Sequence, residues 1–298
     1  MPGSGATDPG MRQRAEQLAA PLPPLLVAAE RVAATVAQGV HGRRRVGSGE
    51  TFWQFRRYQS GDAASAVDWR QSAKRQSLFI RQNEWAAAES VWLWRDASPS
   101  MHYRSPLAAT EKAERASLIL LALAALLVRG GERVALLGEG NAPTTGRAAL
   151  DRLAAVLLLA GEPAAEPSLP PVVGLPRFAQ VVLIGDFLSP MGEIAELVRN
   201  YAAAGVKGHL LQVLDPAEED LPFIGRTRFE GLEGEGSHTV GRADALRDAY
   251  GRRIRERRDA LRGLCGAIGW SFSGHRTDRP PQTALLALYA ALSGGITW

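Results

Sequence analysis

The chain has 298 residues, 46% hydrophobic and 22% charged, with 35 Lys and Arg against 31 Asp and Glu for a net charge of +4. This is globular composition, long enough for one large domain or for a domain with a smaller appendage. A single cysteine, Cys265, excludes an internal disulfide and a cysteine-based zinc cluster and favours a reducing compartment. The positive excess is rich in Arg, but no DNA or RNA motif accompanies it, so nucleic acid is not an expected partner.

The first 20 residues are rich in Gly, Pro and Ala, lack the apolar core of a signal peptide, and are expected to form a disordered tail. Pro23 and Pro24 suit the start of a helix over residues 25–37. His41 and the run Arg43, Arg44, Arg45 follow in a Gly-flanked loop. Residues 47–89 mix aromatics with Arg, with strands predicted at 51–58 and 78–81 and a turn at Gly61-Asp62. Residues 21–89 are therefore read as a helix and a small N-terminal β-rich element ahead of a main domain over 90–298.

From Ser90 the pattern alternates between strand and helix. A short apolar strand at 91–94 precedes an apolar helix at 111–128, which Gly130-Gly131 ends. A strand at 133–137, a helix at 147–160 and a Pro-rich linker at 162–176 come next. Residues 181–184 are wholly apolar, as befits a strand inside a parallel sheet. The reading continues with a helix at 192–203, a strand at 209–214 and a Gly- and Glu-rich loop at 215–239. An Arg-rich helix at 243–264, an edge strand at 270–273 and a last helix at 283–292 complete it. The fold class is α/β, a central and mostly parallel sheet with helices on both faces. The longest apolar stretch, 118–128, is shorter than the ~20 residues that span a bilayer, so no membrane insertion and a cytoplasmic location are expected.

In open α/β sheets, ligands bind beyond the carboxyl ends of the strands. Two apolar strands here run into an acidic residue: 91–94 into Asp96-Ala97-Ser98-Pro99-Ser100, and 181–184 into Gly185-Asp186. If the strands are neighbours, Asp96 and Asp186 face one crevice. One carboxylate and two hydroxyls at alternate positions form an all-oxygen set of the kind that hard cations such as Mg2+ prefer. The plainer alternative is that Asp96 and Ser98 cap the following helix, and Asp186 could cap one as well.

Asp96, Ser98 and Ser100 at the end of a core strand resemble the von Willebrand factor A family, whose fold is Rossmann-like. The resemblance implies a metal-ion-dependent adhesion site holding Mg2+, or Mn2+ or Ca2+. It also implies a Thr from a later loop, for which Thr144 and Thr145 are the candidates, and a late Asp, matched by Asp186. Phe187 stands where Gly is common in the family. A second set of residues surrounds Arg56, Tyr58, Gly61, Asp62, Asp68, Trp69 and Arg70, and a third is His275-Arg276-Thr277-Asp278-Arg279-Pro280-Pro281. Together these resemble the family catalogued as domain of unknown function 58 over about residues 38–292. The signature residues could brace the β-rich element, form a docking surface, or join Arg43 to Arg45 in holding nucleic acid.

The resemblance implies a metal-dependent protein-binding adaptor, chaperone-like, acting with a MoxR-type AAA+ ATPase or its client. Two alternatives are a Mg-dependent phosphoester hydrolase and a structural subunit with a vestigial metal site. The chain carries no phosphate loop and no Gly-x-Ser-x-Gly elbow, its five His form no metal-ligand pair, and no enzymatic activity is expected. His102, just past Ser100, reads as a hydrogen-bonding bystander.

Overall fold

The computed structural model describes residues 22–41, 51–57, 72, 78–84, 90–159, 167–234 and 236–293. The expected N-terminal tail, the Arg43 to Arg45 run, and Tyr58, Gly61, Asp62, Asp68, Trp69 and Arg70 lie outside these residues. Of the signature, only the backbone of Arg56 is placed, in strand β1 (Thr51–Arg57), which pairs antiparallel with β2 (Phe79–Glu84). The amide of Phe79 donates to Ser72 Oγ at 2.8 Å, and both residues are buried.

The central sheet has five parallel strands: β3 (Ser90–Arg95), β4 (Arg133–Leu136), β5 (Gln180–Gly185), β6 (Lys207–Leu214) and β9 (Ser271–Arg276). Their order is β4-β3-β5-β6-β9, so the chain steps outward from β3 to β4 and then crosses back to build the other half. The order reverses between β3 and β5, and such a switch point is where open α/β sheets form their ligand crevices. The edge strand predicted at 270–273 is β9, and it runs on to Arg276.

Side chains alternate across this sheet, and both faces are apolar. Val91, Leu93, Val182, Ile184, Leu211 and Val213 join one core with helices α1 (Leu22–His41), α2 (Lys112–Arg129), α3 (Arg147–Leu159) and α7 (Pro281–Leu292). Trp94, Val181, Leu183 and Leu210 join the other with α4 (Met191–Ala203) and α6 (Arg247–Ala267). In α1, Leu26, Ala29, Val32, Ala33 and Val36 recur at helical spacing and are buried in the first core. That helix thus packs against α2, α3 and α7 of the main domain, although the sequence groups it with the β-rich segment.

The stretch expected as loop at 215–239 is corrected. It holds a short helix, α5 (Pro216–Asp220), and a hairpin of β7 (Thr227–Glu230) and β8 (Ser237–Val240). Asp215 and Glu218 form a capping box that starts α5, and Pro216 occupies its first turn. The helix expected from 243 opens instead with a 3-10 turn, Ala243–Leu246, before α6.

Candidate functional site

Asp96 follows β3, and its amide donates to the carbonyl of Ile184 at 2.8 Å, extending the β3–β5 ladder past the strand end. The pairing sets Asp96 beside Gly185. A Cβ at Gly185 would lie 2.9 Å from Asp96 Cβ and 3.1 Å from its Oδ2, so only glycine leaves the carboxylate its place. Asp96 is fully buried. Its Oδ1 accepts from the Ser98 amide at 2.9 Å, while its Oδ2 is buried with no hydrogen-bond partner.

The hydroxyls continue the constellation. Ser98 Oγ lies 3.1 Å from Ser100 Oγ, and Ser100 Oγ donates to Asp186 Oδ2 at 2.7 Å. Ser98 does stand at the start of a 3-10 turn, Pro99–His102, but its side chain makes no capping bond. Asp186 Oδ1 accepts from the Leu188 amide at 3.1 Å. The next residue, Phe187, has a φ of 51°, in the left-handed region that favours glycine. Its ring is buried and its carbonyl accepts from Arg257 Nε at 2.8 Å, which hold a phenylalanine in a backbone state it rarely adopts.

Sequence reasoning missed Lys112. As the first residue of α2 it resembles a solvated helix end, yet its side chain is fully buried. Its Nζ donates to Asp186 Oδ2 at 3.0 Å and to Glu218 Oε1 at 2.6 Å. Burial alone would lower the pKa of the ammonium, but Asp186 and Glu218 outweigh it and raise the value, so Lys112 stays charged. Asp215 was missed too, though it is a third acidic residue at a strand end. Its Oδ1 accepts from the Ala217 amide at 2.8 Å and its Oδ2 from the Ser105 amide at 2.9 Å, tying the loop after β3 to α5.

Thr144 and Thr145 do not belong to this cluster. Thr144 exchanges backbone hydrogen bonds with Val134 at 2.8 and 3.0 Å, an antiparallel bridge on β4. Val134 pairs with Val91, five residues before Asp96, so the bridge lies about 16 Å down the sheet from the carboxylate. Thr145 is exposed beside it. The bridge to Val134 folds this loop back along β4 and keeps both hydroxyls away from the switch point. His102 lies beside Glu111, Nδ1 to Oε2 at 3.3 Å.

The electrostatics are unbalanced. The carboxylates of Asp186 and Glu218 both lie within hydrogen-bond reach of a single ammonium, with Asp96 close by. Burial, and then the charge of Asp186, push the pKa of Asp96 up to about 7, while Ser98 and Lys112 offset part of that rise. Burial likewise raises Glu218, against the pull of Lys112. Among the described residues, no group of three or more His, Cys, Asp or Glu is set to hold a metal ion. The oxygens that fit a hard cation are instead one unpartnered carboxylate oxygen and two hydroxyls, a set that leaves room for water or a partner's oxygen. A cleft of about 940 Å3 opens at Ser100, lined also by Tyr103, Glu218, Leu221, Phe229 and Tyr250.

The family described as "Protein of unknown function DUF58" matches residues 54–260, a span that takes in the signature residues and the whole switch-point cluster. Uncharacterized proteins of Mycobacterium tuberculosis and Mycobacterium bovis are each 27% identical over 257 residues, covering 82% of this chain and 80% of theirs. Among solved structures, the conserved hypothetical protein BatB from Bacteroides thetaiotaomicron is 16% identical, covering 69% of this chain and 98% of that one, with a TM-score of 0.40. An aerotolerance-related membrane protein from Bacteroides fragilis is 15% identical over 69% of this chain and 99% of that one, with a TM-score of 0.41. No described helix is long and apolar enough to cross a membrane.

Proposed function

The chain belongs to the DUF58 family, and from that membership we propose that it is a metal-dependent protein-binding adaptor whose core is of the von Willebrand factor A type. The observation that carries this reading is the buried, unpartnered Oδ2 of Asp96, next to a bonded pair of serine hydroxyls at the sheet's switch point. A buried carboxylate oxygen without a donor costs free energy unless a cation completes it. Mg2+ suits the set, because it takes one or two carboxylates and keeps several waters. Asp96, Ser98 and Ser100 would hold it, and Asp186 would act through Ser100. The cation would supply an open coordination position for a carboxylate of the partner protein. The neighbouring cleft would take the segment that carries that carboxylate. The partner proposed is a MoxR-type AAA+ ATPase or its client, in the maturation or assembly of a protein complex.

The test is a pull-down of the purified chain with the MoxR-type ATPase from the same organism, in Mg2+ and in EDTA. Capture in Mg2+, lost in EDTA and lost in Asp96→Ala, supports the adaptor. Capture that is equal in EDTA sinks the metal bridge. One observation favours a second reading, a structural subunit without metal: Lys112 already brings a positive charge into the cluster.

A further inference from the structure

Lys112 does more than neutralise its neighbours. Asp186 Oδ2 takes two donors, Ser100 Oγ at 2.7 Å and Lys112 Nζ at 3.0 Å, and Asp186 Oδ1 takes the Leu188 amide at 3.1 Å. Both oxygens are therefore committed to protein donors. Glu218 is held in the same way, with Oε1 on Lys112 at 2.6 Å and Oε2 on the Asp215 amide at 2.9 Å. The Lys112 side chain is fully buried, so no water replaces it. Of the nearby carboxylates, Asp96 alone keeps an oxygen free.

Cations differ in what they ask of such a site. Ca2+ takes six to eight oxygens, several of them carboxylate, in a flexible shell, whereas Mg2+ accepts one or two carboxylates and retains water. Each added carboxylate also strengthens the attraction to a divalent ion inside a protein by several-fold or more.

We propose that Lys112 is the specificity-determining residue of the cation site, holding Asp186 and Glu218 away from the ion and so restricting the site to a small hard divalent cation. The proposal rests on the metal-site reading above and adds the reason for its selectivity. Removing the ammonium frees two carboxylates, raising divalent affinity and shifting the preference toward Ca2+.

Isothermal titration of the full chain with MgCl2, MnCl2 and CaCl2 tests it, on wild type, Lys112→Met and the double variant Lys112→Met/Glu218→Gln. The double variant restores the net charge of the wild-type cluster and guards against a single variant that does not fold. The expected results are a wild type that binds Mg2+ and Mn2+ more tightly than Ca2+, and a Lys112→Met that gains about tenfold or more, most of all for Ca2+. The double variant should show a smaller gain from Asp186 alone. A wild type that prefers Ca2+, or folded variants with unchanged affinity and preference, overturns the role of Lys112 and leaves the metal site standing. Metal binding in Lys112→Met but not in wild type overturns both, because the native cluster then takes no cation for Lys112 to select. No binding in any of the three overturns both.

Discussion

The two ends of the central sheet treat buried polar groups in opposite ways. At the amino end, His209 is enclosed and fully bonded, with Nδ1 2.8 Å from Ser271 Oγ and Nε2 3.3 Å from Gln180 Oε1. Gln180 then donates to the carbonyl of Leu292 at 3.4 Å, fastening α7 to the sheet. Burial, and then the charge of Lys207, hold the pKa of His209 down to about 4, so this imidazole is neutral near pH 7. The carboxyl end of the same strands keeps Asp96, Asp186, Asp215 and Glu218, the Lys112 ammonium and an oxygen with no partner. A closed neutral network stabilises a fold, whereas uncompensated buried charge is tolerated where a ligand completes it.

The most severe break of this contrast is Lys112→Met, which leaves Asp186 and Glu218 buried without their cation. A loss of about 3–5 kcal/mol is expected in urea unfolding, less when Glu218→Gln accompanies it. At the amino end the matching test is Gly208→Ala. Its Cβ would meet the Trp270 ring at 2.1 Å, where the indole also donates to the carbonyl of Val206 at 3.1 Å. Displacing that ring should cost about 2–3 kcal/mol without touching metal binding. A Gly208→Ala protein that loses Mn2+ affinity would show that the two ends are not independent.

The pH dependence separates the ends more finely. The folded pKa of Asp96 is raised from 3.8 to about 7, so the folded state binds the extra proton and stability falls as pH rises from about 4 to 7. His209 and His275 are depressed from 6.5 to about 4 by burial, so their contribution is lost as pH falls through that window. Asp96→Asn removes the first slope and keeps the second. In EDTA, the variant should gain on the wild type between pH 4 and 7, by on the order of 4 kcal/mol at most. Parallel stability curves would mean that Asp96 is not buried as an acid. The smallest effect is expected at the exposed Arg147, which pairs with Glu30 at 2.6 Å and Asp151 at 3.2 Å: Arg147→Ala should cost less than about 1 kcal/mol in thermal melts.

The sheet was legible because its strands are short apolar runs, and Asp96 and Asp186 because each directly follows one. What escaped depended on distant partners. Lys112 is buried only because Asp186 and Glu218, 74 and 106 residues further on, converge upon it. Local spacing carries no trace of that. Thr144 was chosen by its interval along the chain, but its backbone pairs with Val134 and keeps it low on the sheet. The hairpin of β7 and β8 was hidden by the Gly and Glu residues around it, which are poor in strand propensity, and it is held by its pairing and by Phe229 packed edge-on against Phe223. The capping box of Asp215 and Glu218 was readable in principle, as an Asp three places before a Glu, with Pro216 between, marks a helix start and would have revealed α5.

The loop that carries Asp96 is stitched down at both ends, by its amide on Ile184 and by the Ser105 amide on Asp215. Its ordering entropy is spent during folding and none is left for the binding step. Capture of an ion or a partner there is expected to be fast, with little change in heat capacity, and to leave amide exchange in this loop as slow before binding as after it.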